Sequence, residues 1–253
     1  MDEELPTILR TIGWGKLYDK PHLGSRLLTL EFLMTFETVE KNRKSFVKFC
    51  LFGKSFGCDF SRFSELLDFS KSCLPKSIAM RNFNKVEFSD AISGKFTRLR
   101  FSDIHNPSLR FLHRWMSFTL FPMVELHSVA TPELKCLFAM VNRIKYTPVA
   151  NIVNNFKNVH KMLGPIECTS MVTWIAMNLG CPEMANLAYI EGDVLVLDLN
   201  HFVHMHILHK EPDHSLSILY DRKVIRLPNL GLRLYSCESH TLQFDRMGET
   251  RDR

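Results

Sequence analysis

Four histidines fall within nine residues, His201, His204, His206 and His209, with His214 close behind. Imidazoles at short spacing are the commonest raw material of a metal site. On a helix His201 and His204 share a face; on a strand His204 and His206 do. Neither arrangement is the i, i+4 pair with an intervening glutamate that a helical metalloprotease site uses. Asp198, Glu211 and Asp213 are the nearest acids, but three or four ligands in fixed geometry do not follow from this spacing. Surface histidines are the expectation, and no metal. Cys168, just past Gly164-Pro165, could be a thiol nucleophile at a helix N-terminus, where its pKa would drop. Such a cysteine needs a positioned histidine, and only remote ones such as His127 or His160 are available. A small buried residue is the expectation there. Cys50-x7-Cys58 and Cys168-x12-Cys181 have no Cys-x2-Cys partner, and seven scattered cysteines fit reduced thiols inside a cell.

The second chemical pattern is basic and aromatic. Arg98, Arg100, Arg110 and Arg114 interleave with Phe96, Phe101, Phe111, Trp115 and Phe118, as side chains do that stack on bases beside phosphate contacts. The pattern lies in a segment, Lys41 to Arg114, with 15 Lys and Arg against 6 Asp and Glu, a balance of +9. The remainder of the chain stands at −4, within a total of +5. Most of the aromatics fall on a predicted core face, which leaves Arg98 and Arg100 as the candidate nucleic-acid contacts. Phosphate loops, dinucleotide fingerprints, nucleophile elbows, aspartic-protease triplets and paired polymerase aspartates are all missing; Gly13-x-Gly15 has no third glycine in place. No catalytic residue, metal ligand or cofactor site is predicted, and no enzyme.

The elements that must carry these residues centre on Asn106 to Gly180, which reads as four helices. Asn106-Pro107, Thr131-Pro132 and Thr147-Pro148 each place a cap-type residue before a proline already set for the first helical turn. Apolar stripes follow: Leu109, Leu112 and Trp115; Leu134, Leu137, Val141 and Ile144; Val149, Ile152, Val153 and Phe156. A fourth stripe, Met171, Ile175 and Leu179, stops at Gly180. Helices this short must bury their stripes on one another, and Trp115 should be inside.

Upstream, residues 1–25 suggest a short helical piece and a loop. Leu27 to Val39 predicts a helix of about 15 residues running to Lys41-Asn42. Phe46–Phe52 predicts a strand, with a turn at Gly57-Cys58-Asp59 and a short helix from Ser61 to Phe69, Leu66 and Leu67 inward. Val86–Phe88 and Phe96–Phe101 alternate with period two, so a small hairpin is predicted with Arg98 and Arg100 on its outer face. Beyond Pro182 the signals are brief: a turn or two from Met184, the run Val194–Leu197, then Leu216–Tyr220, Val224–Leu227 and Leu232–Tyr235. The last ten residues, about 244–253, should be frayed. The prediction is a single domain over 1–253, mainly α (α-rich α+β). It has a helical core at about 106–180, a small β-hairpin and an irregular C-terminal part.

An apolar fraction of 45% with 23% charge excludes bulk disorder, and 20 Phe against 11 Gly and 11 Pro favour packed elements. Met1-Asp-Glu-Glu-Leu-Pro6 shows no basic leader followed by an apolar core, so no signal peptide is expected, and no run nears 18 uninterrupted apolar residues. An intracellular protein, cytoplasmic or nuclear, is expected, neither secreted nor in a membrane.

The block from Lys95 to Pro122 reads KFTRLRFSDIHNPSLRFLHRWMSFTLFP. It resembles the first-reading-frame protein of Athila-type plant retrotransposons. So do Leu134 to Asn155 and Gly164-Pro-Ile-Glu-Cys through Trp174 to Gly180, and the likeness runs from roughly Leu5 to Phe244. These are Gypsy-class long-terminal-repeat elements whose first frame occupies the Gag position. The resemblance implies a structural protein that self-associates and makes weak, sequence-independent RNA contact, with no small-molecule substrate. Zinc-knuckle, protease, reverse-transcriptase and integrase signatures are lacking, which implies a fragment or a stand-alone descendant. A nuclear protein-interaction module derived from such an element, and a non-functional fragment, are the alternatives. The family has no catalytic residues in this part to carry over.

Overall fold

Two short helices open the chain in the computed structural model. It describes residues 4–18, 23–41, 44–96, 99–121, 128–159, 168–189, 199–204, 208–220, 223–227, 232–233 and 243–244. Helices α1 (Glu4–Thr11) and α2 (Gly15–Tyr18) meet at Gly13, whose φ of 88° suits glycine alone. A Cβ there would sit 2.6 Å from Cys73 Sγ, so the turn presses directly on the 70–73 loop, and Ser70 N–H donates to the Gly13 carbonyl. Trp14 is fully buried; its indole N–H donates to the Tyr146 carbonyl at 2.7 Å, and its ring meets Phe69 edge-on.

Helix α3 (Arg26–Thr35) ends earlier than its apolar spacing predicts, and residues to Lys41 become a strand. Val39 is in phase with the helix, but Thr38-Val39 also suits a strand, and β1 (Glu37–Lys41) gains a full antiparallel ladder with β2 (Lys44–Leu51). The predicted strand at 46–52 is therefore β2, and it buries Val47, Phe49 and Leu51 at period two. The turn expected at Gly57–Asp59 is instead part of β3 (Lys54–Asp59); the chain reverses at Phe52-Gly53, both with positive φ, as two-residue hairpin turns require. Helix α3 holds this tip: the Glu31 carboxylate accepts from Phe52 N–H (2.8 Å) and Gly53 N–H (2.7 Å). Much of the phenylalanine goes into one cluster behind the sheet, with Phe32 5 Å or so from Phe36, Phe49 and Phe156 (5.2, 4.9 and 5.1 Å).

Helix α4 (Phe60–Leu66) is capped by Asp59 and buries Leu66, with Leu67 inward just after it, as expected. After α5 (Lys76–Ala79) comes a correction. Val86–Phe88 lies in α6 (Lys85–Ser93), not in a hairpin. Asn84 caps Val86 N–H, Phe88 and Ile92 face inward one turn apart, and Gly94 closes the helix in the left-handed region. One stripe of two apolar residues looks the same at period two and period 3.6 over so short a run. Residues 101–103 form a 3-10 turn, and Arg100 bridges Ser128 alone.

The four predicted helices are α7 (Pro107–Thr119), α8 (Thr131–Val141), α9 (Val149–Asn158) and α10 (Thr169–Asn178). Trp115 is 7% exposed. Asn106 is the cap the sequence promises, accepting from Ser108 and Leu109 N–H. The two threonines are not caps. Thr131 is already helical and Glu133 reaches back to Ala130 N–H, while the Thr147 hydroxyl bonds Ser64. Gly180, φ 69°, ends α10 with the reverse hydrogen bonds of a glycine stop. One hydrophobic cluster runs from Leu9 to Ala176.

Past a 3-10 turn at Pro182–Asn186 and α11 (Leu199–His204), the expected irregularity gives way to a second antiparallel sheet. It comprises β4 (His209–Lys210), β5 (Leu216–Tyr220) and β6 (Lys223–Leu227), with Ile218 opposite Ile225 and both buried. A shorter pair, β7 (Leu232–Arg233) and β8 (Gln243–Phe244), follows. Val194–Leu197 and the tail after Phe244 lie outside the described residues. The class is α+β: eleven α-helices and two three-stranded antiparallel sheets among the described residues. None of those helices is long and apolar enough to cross a membrane.

Candidate functional site

Arg98 lies outside the described residues. Arg100 is exposed, on the loop before the 3-10 turn, and not on a hairpin. Its backbone N–H donates to Asp103 (2.9 Å), whose other oxygen holds Lys95 at 2.6 Å, while its guanidinium forms no ion pair among the described residues. The other two arginines of the pattern turn inward. Arg110 is buried, and Arg114 places its guanidinium 5.1 Å from the centroids of both Phe101 and Phe118. Burial lowers the pKa of both. Phe111 stacks on Phe202, 5.7 Å away. Two of the aromatics that could have served bases thus hold Arg114, and of the set Phe96 stands out in solvent.

The basic excess is likewise divided. Lys48 pairs with Glu37, Lys54 with Glu183, Arg62 and Lys71 with Glu65, and Lys95 with Asp103. Such exposed pairs add little to stability, but they cancel charge locally. Lys41, Lys44, Lys76, Arg81 and Lys85 remain exposed and form no ion pair among the described residues.

Two constellations were not legible in the sequence. The first is a cleft of about 790 Å³ between the α1–α2 turn, the end of α4 and the 69–71 loop, with Lys145 and Asn178 on its wall. It gathers Arg10, Lys16, Arg62, Lys71 and Lys145 around Glu65 and Asp68. The second is buried between α7 and α8. The Glu133 carboxylate accepts from Ser117 Oγ–H (2.7 Å) and Ala130 N–H (2.8 Å) and lies 3.1 Å from His113 Nε2. His113 Nδ1 has no hydrogen-bond partner among the described residues. Glu133 sits in the first turn of a predicted helix, where a capping acid is common; that is the signal a closer reading could use.

Cys168 precedes α10, is buried, and has its thiol pushed up to about 12 by desolvation, the opposite of an activated nucleophile. His127 and His160 lie outside the described residues. A raised thiol pKa favours the folded state below the unfolded value of 9.0, and that advantage disappears as pH rises toward about 12. The stability difference between the wild type and Cys168→Ala should therefore be constant from pH 7 to 9 and shrink above it in urea titrations. A difference that widens with pH would show the thiol to be ionised when folded. His204 is exposed on α11 and His209 half-buried in β4; the His201 side chain and His206 lie outside the described residues. Among the described residues no three His, Cys, Asp or Glu side chains come together to hold a metal.

Comparison of the chain with protein-family models, with curated proteins and with solved structures gives no match.

Proposed function

We propose that the chain is a non-enzymatic, Gag-like structural protein of the Athila type of plant long-terminal-repeat retrotransposon. In this reading it works inside the cell, associates with copies of itself and touches RNA weakly through phosphates. One observation carries it: the segments that resemble the retrotransposon protein are packing segments of a mainly helical core. Leu109, Leu112, Trp115, Leu134, Leu137, Ile152, Trp174 and Ile175 are all buried, so what the resemblance shares is a scaffold and not a reactive centre. Self-association has a candidate surface in Leu27 and Met34, seven residues apart on α3 and 75% and 84% exposed, apolar area that a second copy would cover. RNA contact has Arg98 and Arg100.

The test is the size of the full chain with and without RNA, joined to a salt titration of binding. Particle growth should depend on RNA and be lost in Leu27→Glu/Met34→Glu. Affinity should fall with salt at a log–log slope of about −0.7 per phosphate contact, and Arg98→Glu/Arg100→Glu should lower that slope by about one or two. Two unrelated RNAs should bind alike, since phosphates position without specifying. A chain that stays monomeric and binds no RNA at low salt overturns the reading and puts the nuclear interaction module in its place.

A further inference from the structure

We propose that the cleft between the α1–α2 turn, α4 and Lys145 is a binding site for a compact polyphosphate anion, a site independent of the Gag-like reading. Its walls are fixed by contacts between segments far apart in sequence. The Trp14–Tyr146 hydrogen bond and the Leu74 N–H to Lys145 carbonyl bond (2.9 Å) set Lys145 beside the α1–α2 turn. Ser70 N–H to Gly13 brings up the 69–71 loop, and the Asn178 amide ties the floor by donating to the Leu66 carbonyl (2.9 Å) and Asp68 (2.8 Å). Gly15 lets Arg10 lie along the turn, because a Cβ there would stand 2.6 Å from Arg10 Cγ.

The charge inside does not cancel. Glu65 is shared by Arg62 (2.9 Å) and Lys71 (3.6 Å), and Asp68 is engaged by Asn178. Arg10, Lys16 and Lys145 converge on the same concavity and form no ion pair among the described residues, so five cations face two carboxylates. Like charges held together in a concave wall repel one another, and an anion removes that cost while the cleft focuses its field. Lysine and arginine donors on several sides suit phosphate oxygens. The cleft lacks what a base would need. Among the described residues that line it the one aromatic, Phe69, is 3% exposed, so this surface offers charge without a stacking platform. That favours a small, densely charged anion over a nucleic-acid strand.

Inorganic triphosphate titrated calorimetrically into the full chain at low ionic strength is the probe. The expected result is saturable one-to-one binding that weakens with salt. Arg10→Glu/Lys145→Glu should reduce affinity at least tenfold, and Arg10→Gln/Lys145→Gln should reduce it less, without the added repulsion. Lys41→Glu/Lys44→Glu makes the same change of charge on the β1–β2 hairpin, away from the cleft, and should change affinity less than threefold. Equal losses in the two glutamate pairs would reduce the site to diffuse charge, and no binding at low salt would remove it. Single-stranded RNA binding that is lost in Arg10→Glu/Lys145→Glu but is not displaced by triphosphate would assign the cleft to nucleic acid and overturn the proposal.

Discussion

Glu133→Ala should lower the stability of the chain by about 2–6 kcal/mol, since two buried groups, Ala130 N–H and His113 Nε2, each lose their partner at about 1–3 kcal/mol. Against a reserve of roughly 5–15 kcal/mol for a folded protein, that is enough to leave much of it unfolded at 37 °C. The Glu133 side chain, on a residue 1% exposed, serves three groups, two on α7 and one in the loop before α8. Without it the Ser117 hydroxyl retains the His113 carbonyl at 3.0 Å, but Ala130 N–H loses the acceptor that caps α8. His113, fully buried and with Nδ1 already unpartnered, would keep no side-chain hydrogen bond among the described residues. Urea denaturation of three variants separates the contributions. Glu133→Gln, which keeps an acceptor, should cost less than alanine. His113→Leu/Glu133→Leu, which removes both polar partners and fills the space, should also cost less than Glu133→Ala alone. A Glu133→Ala protein within 1 kcal/mol of wild type would mean that the cluster adds nothing to stability.

Trp14→Ala should cost a similar amount, about 3–5 kcal/mol, as for large aromatics truncated in a core. The indole is fully buried between α1, Phe69 and Tyr146, and its N–H satisfies a carbonyl 132 residues away. Trp14→Phe isolates the polar part: most of the ring volume stays, the Tyr146 carbonyl loses its donor, and the expected cost is about 1–3 kcal/mol. If Trp14→Phe were as damaging as Trp14→Ala, the hydrogen bond would matter more than the packing. If Trp14→Ala unfolded at the wild-type urea concentration, the N-terminal helices would be ornaments on the core.

What the sequence disclosed is what short-range pattern can encode. Helices α7 to α10 each combine an apolar stripe with a proline or glycine boundary, and Asn106 and Gly180 act as their residue types suggest. Boundaries failed where two periods agree, as at Val39 and at Val86–Phe88, and where a partner strand decides. Leu216–Tyr220 and Val224–Leu227 are weak alone and definite once Ile218 faces Ile225. Arg110 and Arg114 counted as surface charge in a linear tally, yet their helical positions turn them inward. The cleft was invisible because its cations, at 10, 16, 62, 71 and 145, meet only through long-range hydrogen bonds. The basic excess is plain along the chain, but its division between ion pairs, a buried stack and a concavity is set by contacts distant in sequence.

The bond from Trp14 to Tyr146 also has a consequence in time. A ribosome adds about 5–20 residues per second, so the acceptor is made roughly 7–26 s after the donor. Through that interval Trp14, fully buried in the finished fold, can meet Phe69 but not its hydrogen-bond acceptor. The earlier-made segment thus waits for the later one to complete its place.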